Sequence, residues 1–102
     1  MSKVNFIKVN TANVTANNSN DESKKYEISC YVNINGTKVQ SIDRGQVVKE
    51  ETEIATFSKW NEQQLNVNFN TSDVNEMCAI VTEVDSFYTS VVEKVAEEPI
   101  TV

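Results

Sequence analysis

Histidine is absent from this chain. That removes the side chain that most often serves as general acid, general base or transition-metal ligand near neutral pH. Catalytic triads built on Ser-His or Cys-His pairs are thereby excluded. There are only two glycines, Gly36 and Gly45, too few for a glycine-rich loop that wraps phosphates with backbone N–H groups. The two cysteines, Cys30 and Cys78, lack the paired spacing of a structural zinc site. Each falls on an apolar stripe and is expected to be a buried free thiol acting as a small hydrophobe. Basic residues are scarce: nine Lys and Arg against fifteen Asp and Glu give a formal charge of -6. Such a surface repels nucleic-acid backbones and anionic lipid headgroups. No apolar run approaches the ~20 residues that span a bilayer. The N-terminus lacks the charged-then-apolar plan of a signal peptide, so synthesis in the cytoplasm is the expectation.

What is present suits one folded domain over 1–102. Apolar residues make up 39% and charged residues 24% of the 102, which is a globular balance, and the length suffices for one core and not for two. Thirteen asparagines stand out. Four of them, Asn13, Asn17, Asn35 and Asn70, begin Asn-x-Ser/Thr triplets, which chance explains at this frequency.

Along the chain, Lys3 to Val9 is β-branched and aromatic and reads as a first strand. Residues 10–21, from Asn10 to Asp21, offer little to bury and read as a long polar loop, the kind of segment that tends to be functional. From Lys24 to Asn35 the alternation is clear: Tyr26, Ile28, Cys30, Val32 and Ile34 face one way, Glu27, Ser29, Tyr31 and Asn33 the other. Asn35-Gly36 supplies the two positive-φ positions of a type I′ turn, and residues 37–42 return as the second arm. Asp43-Arg44-Gly45 reads as another turn before Gln46-Val47-Val48. Residues 49–58 fit a strand, Lys59 to Glu62 a turn, and Leu65, Val67 and Phe69 alternate with asparagines in a last strand.

The final third changes period. Val74, Met77, Cys78, Val81, Val84, Phe87, Tyr88, Val91, Val92 and Val95 recur at helical spacing, predicting one amphipathic helix over 73–95. Asp73 with Glu76 has capping-box spacing, and Pro99 limits continuation into the tail, 96–102. The predicted fold class is therefore α+β, a mostly antiparallel sheet of about five strands packed against one long C-terminal amphipathic helix. The end of the tail, with Ile100 and Val102, is β-prone and suited to adding an edge strand.

Candidate functional residues are correspondingly few. Glu50-Glu51-Thr52-Glu53 lacks the glycine and ligand spacing of a calcium loop and reads as a solvated charge run. Trp60, the single tryptophan, sits in a predicted turn, where it either anchors a partner or folds back over the core. Tyr31 lies on the polar face of the clearest strand. No catalytic residue, cofactor site or metal site is predicted, and the chain is expected not to be an enzyme. The expected function is a structural or interaction protein, one component of a larger assembly such as a bacteriophage virion (an auxiliary or decoration capsid protein). Its partners are then other proteins, neither nucleic acid nor membrane, through contacts at Trp60, Tyr31, Ile100 and Val102. The alternative is a small acidic inhibitor of a host nucleic-acid-binding enzyme, of the phage counter-defence type. A third possibility is a single-strand-binding barrel that uses Tyr31, Phe57 or Trp60 as stacking platforms.

Overall fold

The computed structural model describes residues 4–8, 13–60 and 64–97. Six strands precede one helix: β1 (Asn5–Lys8), β2 (Asn13–Asn17), β3 (Glu27–Asn35), β4 (Lys38–Lys49), β5 (Thr52–Trp60), β6 (Leu65–Phe69) and α1 (Val74–Glu97). Every strand pairs antiparallel with the next, so the sheet order is β1-β2-β3-β4-β5-β6. An antiparallel sheet covered on one side must alternate apolar and polar residues, and this one does. Val14 and Ala16 of β2, Ile28, Cys30, Val32 and Ile34 of β3, Ile42 and Val47 of β4, and Ala55 and Phe57 of β5 are all buried. The α+β architecture follows the sequence, with six strands where about five were expected.

The additional strand is β2. It lies inside the stretch 10–21 predicted to be a loop, of which 10–12 fall outside the described residues. Val14 and Ala16 are two small apolar residues among polar ones, a weak local signal. They are nevertheless 0% exposed, because β1 and β3 flank the strand and place both under the helix-side layer.

α1 packs across the middle of the sheet. Ile80, Val84, Phe87, Val91 and Val95 are its buried residues, spaced by three and four so that they form one stripe. Removing each from water contributes about 2 kcal/mol. Sequence periodicity placed Val74, Cys78, Val81 and Val92 on the buried stripe, yet all four are exposed. Val84, Phe87, Val91 and Val95 of the predicted stripe are buried as expected, and Ile80, about 100° around the helix from Val81, joins them. Apolar residues spread over more of the helix circumference than the sheet covers, so the docked stripe is narrower than the periodic one. Asp73 caps the helix, its Oδ1 accepting from the N–H groups of Asn75 (2.9 Å) and Glu76 (3.4 Å). The reciprocal half of a capping box is not made, because the Asp73 N–H donates to Thr71 Oγ1 and Glu76 points toward the sheet. The helix continues to Glu97, so the tail predicted from residue 96 begins later; 98–102 lie outside the described residues.

Turn chemistry is partly rearranged. In the β3–β4 hairpin Asn35 pairs with Lys38, and the positive φ (67°) falls on Gly36, at the first central position as a type II′ turn requires. Asp43-Arg44-Gly45 is not a turn: β4 runs straight through it with a one-residue bulge. Ile42 and Val47 are both fully buried, yet an odd number of positions separates them, which a regular strand cannot point the same way. Arg44 is the inserted residue. Its φ of 51° resets the alternation and turns its guanidinium out of the core.

The β4–β5 hairpin carries a built-in strain. Lys49 pairs with Thr52, leaving Glu50 and Glu51 as a two-residue turn with φ of 52° and 67°. Two adjacent β-carbons in the left-handed region cost roughly 1–2 kcal/mol each. Replacing the pair by Asn-Gly, the residues such turns favour, is expected to stabilise the protein by about 1–2 kcal/mol. The midpoint of urea unfolding checks this, and an unchanged or lower midpoint would contradict the strain.

Candidate functional site

The sheet has one face free of the helix, and the strand register defines what it displays. Opposed residues form rows running across the strands, about 4.8 Å apart from strand to strand. One row is Asn5, Asn17, Ser29, Gln46, Thr56 and Asn68, one uncharged polar side chain from each of the six strands. The next holds Ile7, Thr15, Tyr31 and Asp43, and a third holds Asn13, Asn33, Ser41 and Trp60. Among the described residues, the charged side chains on this face are Asp43 and Arg44 near its centre, with Glu27, Glu53 and Lys38 toward the hairpin ends. The acidic excess of the chain therefore lies mainly elsewhere, on α1 and the Glu50-Glu51 turn.

Within this face Trp60 and Tyr31 stand out. Trp60 is the last residue of β5 rather than part of a turn, and it is 59% exposed. Tyr31 is 46% exposed, with the Arg44 guanidinium 5.3 Å from its ring centroid, a cation–π contact that holds both side chains over the sheet. Ser41, directly opposite Trp60, is buried although it belongs to the helix-free face; Asn33 Nδ2 donates to its Oγ at 2.9 Å. Beside them is a depression of about 260 Å³ lined by Asn13, Val14, Tyr31, Asn33, Asp43 and Arg44. Asp43 Oδ1 is buried with no hydrogen-bond partner among the described residues. A buried carboxylate oxygen left unpaired is costly, so this position favours whatever brings a donor to it.

The other sequence candidates separate. Ile100 and Val102 lie outside the described residues. The Glu50 to Glu53 run is an exposed hairpin tip. Phe57 is 3% exposed and packs edge-on against Phe87, with centroids 6.5 Å apart at 75°, so it cannot stack on a base. The sheet is open, not a barrel. Cys30 is buried, and burial, with the Asp43 charge adding to it, pushes its thiol up to about 12; at neutral pH it is an unreactive thiol. Cys78 is the opposite of what its stripe suggested, a free thiol on the exposed side of α1.

A second polar cluster ties sheet to helix. Tyr26 donates its hydroxyl to Glu76 Oε2 at 2.8 Å, and Lys49 Nζ donates to Glu76 Oε1 at 3.2 Å. The bond from Tyr26, then that from Lys49, holds the Glu76 carboxyl below its ordinary range. Burial and the bond to Glu76 push the Tyr26 phenol up to about 12. Each member is satisfied by the others, which makes this a structural clamp at the start of α1. Asn18 carries no local sequence signal of a structural role. Its side chain is buried and bonds two backbone groups of the neighbouring segment, Tyr26 C=O and Ile28 N–H.

Among the described residues no group of three or more His, Cys, Asp or Glu is placed to hold a metal ion, and no helix is long and apolar enough to cross a membrane. No protein-family model matches the chain, and neither the curated proteins nor the solved structures contain a match.

Proposed function

We propose that this chain is a non-enzymatic interaction protein, one component of a larger assembly such as a bacteriophage virion, and that it docks on partner proteins through the helix-free face of its sheet. The observation that carries this reading is the composition of that face: rows of amides and hydroxyls surrounding an exposed tryptophan and tyrosine. Tryptophan and tyrosine are the side chains that dominate protein interfaces, because a rigid ring buries a large area at small entropic cost. A surround in which neutral polar side chains predominate and Asp43 and Arg44 carry opposite charges lets a chain of charge -6 approach another protein without burying like charges.

The alternative, an acidic inhibitor of a nucleic-acid-binding enzyme, requires carboxylates concentrated on the contact face. The helix-free face carries only Glu27, Asp43 and Glu53 among the described residues, so that reading would use the α1 side, with Glu83, Asp85, Glu93 and Glu97, and not the face of Trp60 and Tyr31.

Paired substitution of Trp60→Ala and Tyr31→Ala tests the proposal. Both side chains are largely exposed, so the fold is expected to survive, as circular dichroism would show. Tagged protein expressed in its native source should co-purify stoichiometrically with the assembly, and the double variant should be retained at least about tenfold less. Equal retention of the double variant would overturn the docking face. Recovery with a nucleic-acid enzyme in place of an assembly would favour the inhibitor.

A further inference from the structure

The two edges of the sheet are differently protected. An edge strand offers unpaired N–H and C=O groups to any passing strand, and proteins usually block it with lysines, prolines or bulges. The β1 edge has such protection: it contains Lys8, and the Lys94 ammonium sits 5.3 Å from the Phe6 ring centroid. Among the described residues the β6 edge has none. Its one strand partner among them is β5, in a regular register without a bulge. The run from Gln63 to Ser72 contains no ionisable residue and no proline.

The β6 sequence is also self-complementary. Leu65-Asn66-Val67-Asn68-Phe69 reads apolar, Asn, apolar, Asn, apolar in both directions, and the structure sorts these residues by face. Leu65, Val67 and Phe69 are half-buried on the helix side, whereas Asn66 and Asn68 are exposed on the other. We propose that two copies of this chain join edge to edge through β6, antiparallel about a two-fold axis at Val67, to form a dimer with one continuous twelve-stranded sheet.

In that register Leu65 faces the partner's Phe69, Asn66 faces the partner's Asn68, and Val67 faces the partner's Val67. Apolar side chains meet apolar ones on the helix side and finish burying the half-covered end of the core. The facing amides exchange N–H and C=O bonds across the seam, and the uncharged rows of the helix-free face continue from one copy into the next. A slip of one position would set Asn66 against the partner's Phe69 and put the two helices on opposite faces. Charge selects the same edge. Two copies that each carry -6 repel, and their closest approach costs least where neither bears an ionised group. The contact is small beside the ~1,200 Å² of a stable interface, so the dimer is expected to form on the order of 0.1 mM rather than at nanomolar concentration.

Sedimentation velocity of the full chain from about 20 µM to about 1 mM is the test. The expected result is a shift from one chain mass toward two across this range. In the double variant N66K/N68K, two pairs of lysines face each other across the seam, and the protein should stay monomeric throughout. The variant N66K/N68E sets lysine against glutamate at both places, and it should dimerise at least as well as the wild type. Both positions are exposed, so all three proteins are expected to fold. Wild type that remains monomeric at the highest concentration would overturn the proposal, as would unimpaired dimerisation of N66K/N68K. Failure of N66K/N68E to dimerise would overturn the register. Trp60 and Tyr31 are not in the seam, so failure here leaves the docking face standing, and the reverse holds too.

Discussion

Gly45→Ala is expected to lose on the order of 3 kcal/mol of stability, the upper end of what one extra methyl group costs in a packed interior. A Cβ on Gly45 would lie 2.6 Å from three ring carbons of Phe57, Cγ, Cδ2 and Cε2, well inside the contact distance of two carbon atoms. The ring has nowhere to go. Phe57 lies on β5 directly opposite Gly45, is 3% exposed, and is held on its far side by the edge contact with Phe87 of α1. The φ of Gly45 is not in the left-handed region, so the penalty is steric crowding and not backbone strain. Moving the ring would disturb the helix–sheet interface. Urea denaturation should show a lowered midpoint with an unchanged slope, and the thermal midpoint should fall by roughly 12–24 °C. The double variant with Phe57→Leu separates this cause from others. Phe57→Leu leaves a void on its own, but beside alanine at 45 the smaller side chain relieves the clash, so the two losses should be clearly less than additive. Additive losses, or a Gly45→Ala protein as stable as the wild type, would show that the close approach does not govern this site.

The other large effect is expected at Asn18. Its Nδ2 donates to Tyr26 C=O at 2.8 Å and its Oδ1 accepts from Ile28 N–H at 2.9 Å, while its own N–H donates to Ile28 C=O at 3.1 Å. Asn18→Ala leaves the first two backbone groups without partners where β2 hands over to β3. At roughly 1–3 kcal/mol for each buried group left unpaired, the expected loss is about 3 kcal/mol. Asn18→Asp should not rescue it. A carboxylate still accepts from Ile28, but its second oxygen faces the Tyr26 carbonyl, acceptor against acceptor, and the charge itself is buried. Hydrogen exchange gives a local readout: the Ile28 amide should lose protection in both variants beyond what the global loss of stability produces. A stable Asn18→Asp protein with a protected Ile28 amide would refute this account of the corner.

Neither residue attracts notice in the sequence. Gly45 follows Asp43-Arg44 and reads as turn chemistry, because the residue types that permit a turn also permit a bulge. Only the burial of both Ile42 and Val47 decides between them. Asn18 sits in a run of asparagine, serine and aspartate that reads as solvated loop, and a satisfied buried polar residue has no periodicity to betray it. The candidate site was legible in part. Tyr31 falls on the polar side of β3 by simple alternation, and its exposure agrees. Trp60 had two readings, anchor or core cover, and the structure leaves it 59% exposed at the end of β5. Asp43 and Arg44 were not seen as members of the same surface, because the bulge places them there.

The sequence by itself determined the class of this protein: antiparallel strands from period-two alternation, one helix from period 3.6, the hairpin at Gly36, and the absence of histidine. These are local properties, written within a few residues of where they act. Tertiary structure alone decided how much of the apolar helical stripe is buried, that β2 is a strand, where β4 bulges, and what shares the helix-free face with Trp60. Each of these depends on residues distant in the chain competing to fill one interior, and pairing and packing resolve that competition where local pattern permits more than one outcome.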